Sequence, residues 1–287
     1  MSVFFFASDL HGRRDRYEKL FAAVREEMPA AVLLGGDLLP GGSSVLRAID
    51  PGRGDFVQDF LAAELTRLRI ALRDRYPDVL LIFGNDDARV EEAAMLELAE
   101  SGLWRYAHGR RIACAGWNVY GYSCVPPTPF LLKDWERYDV SRFVDPGSTS
   151  PEEGIHSVPC PLVEVRYGTI AKDLEALVGT DDLERAILLF HAPPYQTALD
   201  RAPLDGRAID HVPLDPHVGS IAIRRFLEER QPRVSLHGHV HESARLTGEW
   251  KTKIGETWCL GGAHDGPELA LVRFDPERPG EAERELL

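Results

Sequence analysis

Short apolar runs alternate along this chain with stretches in which apolar residues recur at helical spacing. The runs are rich in valine, isoleucine, leucine and phenylalanine and are bounded by glycine, proline or aspartate, which is typical of strands buried on both faces. They lie at residues 3–7, 31–34, 79–83, 186–190 and 234–236, and two further strand patterns lie at 257–260 and 269–274. Amphipathic stretches predict helices at residues 15–27, 56–75, 90–101, 170–178 and 221–229. Strands that alternate with helices predict an α/β domain.

The middle of the chain departs from this pattern. Residues 111–122 alternate between apolar and polar side chains, which predicts a hairpin. Two excursions, residues 125–161 and 193–218, are rich in residues that favour irregular structure, such as proline and aspartate. We expect both to be lids or specificity loops. The whole chain, residues 1–287, is expected to form a single domain. We expect the charged last dozen residues to fray.

Composition and charge narrow the class of protein. The length of 287 residues and the hydrophobic share of 44% suit a globular domain with a substantial core. No apolar stretch is long enough to cross a bilayer, and the first run has no basic region before it, so we expect a cytoplasmic protein that does not engage membranes. The net charge of −13 and the lack of a basic stripe disfavour nucleic acid. The four cysteines have no C-x-x-C spacing and are expected to be separate thiols.

Metal-binding residue types follow the five main apolar runs, one group after each run. In order they are Asp9 and His11, then Asp37, then Asn85 and Asp86, then His191, then His239 and His241. The carboxyl ends of the strands form the natural ligand crevice of an open α/β sheet. The members of each D-x-H or H-x-H pair are two positions apart, so in an extended segment they would point to the same side. Each group alone would be an ordinary turn or helix cap, whereas the ordered set of carboxylate, amide and imidazole groups suits Mn, Fe or Zn.

The ordered set D-x-H, G-D, G-N-D-D, H and G-H-x-H, from Asp9 to His241, resembles the signature of calcineurin-like metallophosphoesterases. The resemblance implies a four-layer αββα sandwich of two mixed β-sheets flanked by helices, with the metal site at the C-terminal edge of the strands. It implies two divalent or trivalent metal ions, Mn²⁺ or Fe in the first place and Zn²⁺ as a further option. The implied ligands of one ion are Asp9, His11, Asp37 and His241; those of the other are Asp37, Asn85, His191 and His239, with Asp37 bridging.

The resemblance also implies hydrolysis of a phosphomonoester or phosphodiester of a small molecule by a hydroxide that two metals share. One position departs from the family pattern, because Asp86 stands where most members have a histidine. Asp86 is a candidate general acid if its pKa is raised. His237 is a second candidate catalytic residue, with an ordinary strand position as its alternative. The departure also keeps open a catalytically silent metal-binding or interaction module on the same fold, and a nuclease is a third alternative that the acidic charge disfavours.

Overall fold

Two six-stranded β-sheets form the centre of the computed structural model, which describes residues 3–41 and 55–287. The strands in chain order are β1 Phe4–Ala7, β2 Ala31–Gly35, β3 Asp78–Ile82, β4 Arg105–Tyr106, β5 Arg110–Cys114, β6 Trp117–Tyr122, β7 Ala186–Phe190, β8 Ala208–Ile209, β9 Val212–Pro213, β10 Val234–His237, β11 Lys251–Ile254, β12 Thr257–Gly261, β13 Ala270–Phe274 and β14 Glu283–Leu286. The first sheet has the order β14-β13-β1-β2-β3-β4 and the second the order β11-β12-β10-β7-β6-β5. Both sheets are mixed. In the first, β1 to β4 are parallel and the antiparallel strands β13 and β14 lie at one edge; in the second, the parallel strands β12, β10, β7 and β6 lie between the antiparallel edge strands β11 and β5.

Helices cover the outer faces of both sheets. They are Arg14–Glu27, Ala63–Leu72, Glu92–Ala99, Leu162–Tyr167, Ile170–Val178, Ile221–Arg230 and Ser243–Thr247, with a π-helical turn at Phe56–Ala62 before the second. Side-chain caps fix two of the starts, because the hydroxyl of Thr169 accepts from the N–H of Lys172 and that of Ser220 accepts from the N–H of Ile223. Each such cap contributes about 1 kcal/mol to helix stability.

Alternate residues along the central strands belong to two different cores. Phe4 and Phe6 pack with strand residues of the second sheet, such as Leu189, so this core lies between the sheets. Phe5 packs instead in the core that contains helix residues such as Tyr17. Strands buried on both faces explain the continuous apolar runs in the sequence, and the predicted αββα sandwich is confirmed.

Several smaller predictions can be compared with the structure. The hairpin predicted at residues 111–122 is confirmed as the antiparallel pair β5–β6, and all four cysteines are free thiols. The prediction of a frayed end is wrong, because β14 pairs antiparallel with β13 and Arg273 forms an ion pair with Glu285. An edge strand tolerates charged side chains since one of its sides faces solvent. Within the described ranges, no helix is both long and apolar enough to cross a bilayer.

Candidate metal centre

The candidate site lies where the carboxyl ends of the two sheets meet. Backbone hydrogen bonds join the loops there: the N–H of Asp9, after β1, donates to the carbonyl of Gly36, after β2, at 2.9 Å. In the second sheet the N–H of Gly238, after β10, donates to the carbonyl of His191, after β7, at 2.9 Å. A bond between the sheets completes the arrangement, because the N–H of His239 donates to Asp9 Oδ1 at 3.0 Å. The strand ends that carry the predicted ligands therefore share one crevice.

Four of the candidate ligands have left-handed backbone conformations. The φ angles are 58° at Asp9, 47° at His11, 51° at Asp37 and 73° at His239. Residues other than glycine rarely adopt this region, and each instance costs on the order of 1–3 kcal/mol, so such strain is concentrated at functional sites. The conformation also corrects the reasoning from sequence about the D-x-H pair, because Asp9 and His11 do not lie in an extended segment.

Glycine is required at position 84 by the closeness of the loops. A Cβ atom on Gly84 would lie 2.3 Å from Asp37 Oδ1 and 2.5 Å from His191 Nε2. Both distances are far below van der Waals contact, so any other residue would displace the carboxylate or the imidazole. The backbone of the third loop thus passes directly beside two candidate ligands.

The first ligand group contains two carboxylates and two imidazoles. Asp9, His11, Asp37 and His241 each offer one ligand atom, and these atoms all lie within 4.8 Å of one another. The Nε2 atoms of His11 and His241 are 3.1 Å apart, and His241 Nε2 lies 3.2 Å from Asp9 Oδ1. Nitrogen and oxygen donors that converge in this way suit a divalent transition metal.

A second group of donors adjoins the first at Asp37. The Nδ1–H of His191 donates to the carbonyl of Gly35 at 2.8 Å, so Nε2 is the ring nitrogen that faces the site. That Nε2 lies 3.1 Å from Asn85 Oδ1 and 3.3 Å from Asp37 Oδ2. The ring of His239 stands beside it, with the two ring centres 5.2 Å apart. The structure therefore brings all seven predicted ligands into two adjoining groups; their role as metal ligands stays a prediction.

The charges of the cluster are strongly coupled. Burial raises the pKa of Asp9, but its hydrogen bond with His241 and the neighbouring imidazolium charges lower that pKa well below its usual value. Burial lowers the pKa of His191, yet the Asp37 carboxylate more than offsets this and the pKa is raised to about 10. Burial and the charge on His191 lower the pKa of His239 to about 3. Asp9 therefore stays ionised, and a cation that binds at His191 would displace the proton from its Nε2, whereas His239 is already neutral.

Asp86 stands at the mouth of the site with 43% of its side chain exposed. Its Oδ2 lies 3.6 Å from His11 Nδ1, and its Oδ1 accepts a hydrogen bond from the side-chain amide of Asn85 at 3.0 Å. Its backbone N–H donates to Asp37 Oδ1 at 2.8 Å. Burial and the Asp37 carboxylate raise the pKa of Asp86. The structure thus brings this carboxyl beside the candidate ligands.

His237 lies apart from the cluster. It follows Leu236, which faces the core between the sheets, so its ring is on the opposite face of β10. Its Nδ1–H donates to the carbonyl of Ala192 at 2.8 Å, and burial lowers its pKa to about 4. Its Nε2 has no hydrogen-bond partner among the described residues. The structure does not bring His237 together with the candidate ligands, and its catalytic role remains a prediction that no contact supports.

Two buried residues with ionisable side chains, an aspartate and an arginine, brace the loops of the site. The carboxylate of Asp87 accepts from the N–H groups of Gly84, Leu38 and Leu39 at 2.9, 3.0 and 2.7 Å, so it joins the third loop to the second. Arg16 donates to the carbonyl of Asp9 at 2.5 Å from a helix whose other arginines face solvent. Asp87 is the last residue of the G-N-D-D motif, whereas nothing in the helical pattern distinguishes Arg16 from a surface residue.

Comparisons with known proteins agree with this architecture. A family model described as calcineurin-like phosphoesterase matches residues 2–243. The crystal structure of TT1561 of Thermus thermophilus is 16% identical, with 99% of this chain and 98% of that chain covered and a TM-score of 0.56. The crystal structure of a dimetal phosphatase from Danio rerio is 13% identical, with 95% and 91% covered and a TM-score of 0.51. No curated protein matches the chain.

Proposed function

The chain belongs to the calcineurin-like phosphoesterase family, and we propose that it is a binuclear metal-dependent hydrolase of phosphoric esters of small molecules. The observation that carries the proposal is the position of Asp37. Its Oδ2 lies 3.3 Å from His191 Nε2 and 3.9 Å from His11 Nε2, so a single oxygen adjoins both donor groups. A carboxylate in this position suits a bridge between two cations.

The donors fit two metal ions. The first group, Asp9, His11, Asp37 and His241, would hold one ion, and the second group, Asp37, Asn85, His191 and His239, would hold the other. Mixed nitrogen and oxygen donors favour Mn²⁺ or Fe and also accept Zn²⁺. Two ions of this kind, when bound, would supply Lewis acidity to the phosphoryl oxygens and would lower the pKa of a water molecule towards neutrality.

The residues of the chain contribute orientation and a proton. The bond from His191 Nδ1–H to the carbonyl of Gly35 fixes the ring so that Nε2 faces the position of the second ion. Asn85 would be a neutral metal ligand, so it adds no charge that would repel a phosphate. We assign to Asp86 the general acid that protonates the leaving oxygen, since it stands beside His11 and burial raises its pKa.

The charge of the molecule favours a small substrate. The net charge is −13 and the sequence has no basic stripe, whereas a protein that binds along nucleic acid must neutralise a row of phosphates. A single phosphate group needs only local compensation, which bound cations supply. We therefore propose a small phosphomonoester or phosphodiester as the substrate rather than nucleic acid.

The test measures hydrolysis of p-nitrophenyl phosphate and bis-p-nitrophenyl phosphate by metal-stripped protein refilled with Mn²⁺. Asp37→Asn should lose Mn²⁺ binding and turnover, because it removes the shared carboxylate. Asp200→Asn is the matched control, since Asp200 is also fully buried and bonded to a histidine, His217, at 2.8 Å, outside the cluster. Equal turnover in wild type and Asp37→Asn would refute the proposal.

The absence of a histidine at position 86 favours one alternative, a silent metal-binding module on the same fold. In that case the wild-type protein would bind two Mn²⁺ ions and hydrolyse neither ester. The preferred ester of an active protein would distinguish a monoesterase from a diesterase.

A further inference from the structure

The middle excursion, residues 125–161, reaches under the loop that carries Asn85 and Asp86. Trp135 is 1% exposed, and its Nε1–H donates to the carbonyl of Asp87 at 2.7 Å. Asp134 is 7% exposed, and its Oδ2 accepts from the N–H of Arg89 at 2.7 Å. Both bonds end on the backbone of residues 84–89, so they act on the course of the loop itself.

Packing fixes the indole ring of Trp135. It meets the rings of Phe83 and His108 edge to face, with ring centres 5.8 and 4.9 Å away, and the guanidinium of Arg89 lies 5.2 Å from its centre. Aromatic pairs of this geometry contribute beyond their buried area. The ring is therefore held in place by contacts that do not need its N–H group.

The end of the excursion closes on the same loop. Asp134 Oδ1 accepts from the N–H of Ser157 at 2.8 Å, and Ser157 Oγ donates to Asp134 Oδ2. The same hydroxyl accepts from the N–H of Val90 at 2.9 Å. Residues 23 positions apart in the excursion thus form one network with the backbone that follows the third motif.

Asp87 is therefore bonded through both its side chain and its backbone. Its carboxylate binds the N–H groups of Leu38 and Leu39 in the second loop, while its carbonyl binds Trp135. A shift of that carbonyl would move Asn85 and Asp86, which lie immediately before it in the chain. Since a displacement of about 1 Å at a reacting group costs on the order of a hundredfold in rate, this support matters for the site.

We propose that Trp135 and Asp134 are positioning residues that hold Asn85 and Asp86 in their places at the metal-binding edge. The excursion thus supports the backbone of residues 84–89 by hydrogen bonds, a role that we call a brace, and is not a removable lid. The buried ion pair of Lys133 with Glu136 beside the two residues agrees with this, because neither of its side chains is exposed. The effect on catalysis rests on the proposed function, whereas the effect on the loop does not.

Trp135→Phe tests the brace, since phenylalanine keeps an aromatic ring in the packed position and removes the N–H donor. Trp104→Phe is the matched control: Trp104 is also 1% exposed, and its Nε1–H donates to the carbonyl of Met95 at 3.0 Å, in the helix Glu92–Ala99. Each variant loses one buried indole-to-carbonyl hydrogen bond and should lose a similar amount of thermal stability.

Amide hydrogen exchange of the metal-free protein is the first measurement. A buried carbonyl left without its donor weakens the local structure, so exchange at Gly84 and Asp86 should be about tenfold faster in Trp135→Phe and unchanged in Trp104→Phe. Both amides are hydrogen-bonded in the loop, to Asp87 Oδ2 at 2.9 Å and Asp37 Oδ1 at 2.8 Å. Equal exchange at these amides in the two variants would overturn the proposal.

Steady-state kinetics of the Mn²⁺-loaded protein is the second measurement. We expect kcat to fall about tenfold in Trp135→Phe with KM unchanged, and neither to change in Trp104→Phe. If the wild type hydrolyses no ester, the proposed function fails while the exchange experiment still decides the brace. If Trp135→Phe does not fold, Asp134→Asn replaces it, since an amide cannot accept all the bonds of the carboxylate; slow exchange at Gly84 and Asp86 in that variant would reject the brace.

Discussion

The general acid assigned to Asp86 leads to a prediction that depends on the leaving group. Asp86→Asn keeps the size of the side chain and removes the transferable proton. Because p-nitrophenolate is a stable leaving group, it needs little protonation, whereas an alkoxide leaving group needs a full proton. We therefore expect the substitution to slow hydrolysis of an alkyl phosphate ester much more than hydrolysis of a p-nitrophenyl ester.

The magnitude follows from the usual contribution of such a group. General acid catalysis contributes about a hundredfold to ten-thousandfold. We expect the rate contribution of Asp86 to be at the low end of this range, because 43% of its side chain is exposed and water competes for the proton. A loss of about a hundredfold in kcat for the alkyl ester corresponds to about 2.7 kcal/mol of transition-state stabilisation, and we expect a loss of about threefold or less for the p-nitrophenyl ester.

The assay compares kcat for both esters in the wild type, Asp86→Asn and a control, Asp87→Asn. Asp87 accepts three backbone N–H bonds, so its substitution disturbs the loop and should slow both esters by the same factor. A general acid acts only in its protonated form, so turnover of the alkyl ester should fall as the pH rises through the pKa of Asp86 in the metal-loaded protein. This fall in turnover at high pH should be absent from Asp86→Asn. Equal losses for the two esters in Asp86→Asn would refute the assignment.

Three further predictions concern burial and close packing. His237 is buried and its pKa is lowered to about 4, so the unfolding free energy falls as the pH drops from the unfolded pKa of 6.5 to 4, because over that range only the unfolded state takes up the proton. His237→Gln should therefore reduce the dependence of unfolding free energy on pH by about 1.4 kcal/mol per unit between pH 6.5 and 4, as measured by urea unfolding of metal-free protein. Unchanged kcat in the same variant at pH 8 would argue against a catalytic role. Lys133→Met leaves the Glu136 carboxylate buried without a counter-ion and with only the N–H and hydroxyl of Thr128 as hydrogen-bond partners, so it should lower the unfolding free energy by about 3 kcal/mol, and adding Glu136→Gln should restore part of that loss. Gly84→Ala places a Cβ 2.3 Å from Asp37 Oδ1, so calorimetry should detect less than two bound Mn²⁺ per chain, whereas two ions bound as in wild type would contradict the geometry.

Much of the site was predictable because its residues follow strands with an unusually clear pattern. The run at residues 31–34 is β2, Ala31–Gly35, and that at 186–190 is β7, Ala186–Phe190. Strands buried on both faces leave continuous apolar runs, and parallel strands bring their carboxyl ends to one edge. The polar residues after those runs were therefore expected at strand ends, whereas the meeting of two sheets at one crevice was implied only by the family resemblance.

The middle excursion was not predictable in the same way. Its aromatic and charged residues follow no period of two or 3.6, so the pattern cannot distinguish buried from exposed positions. Trp135 packs against Phe83 and His108 and donates to the carbonyl of Asp87, 48 positions earlier in the chain. Such pairings depend on the tertiary fold, and the sequence around Trp135 carries no sign of them.

The residues of the site with left-handed backbone conformations show even more clearly what the sequence alone could not predict. Spacing alone placed Asp9 and His11 on one side of an extended segment, yet both have positive φ angles, at 58° and 47°. Each conformation is unfavourable by itself, so it persists because tertiary bonds specify it. The N–H of Asp9 donates to the carbonyl of Gly36 and that of His11 to the carbonyl of Asp37, at 2.9 and 2.8 Å. The two loops therefore impose the ligand geometry on each other, and neither segment would adopt it in isolation.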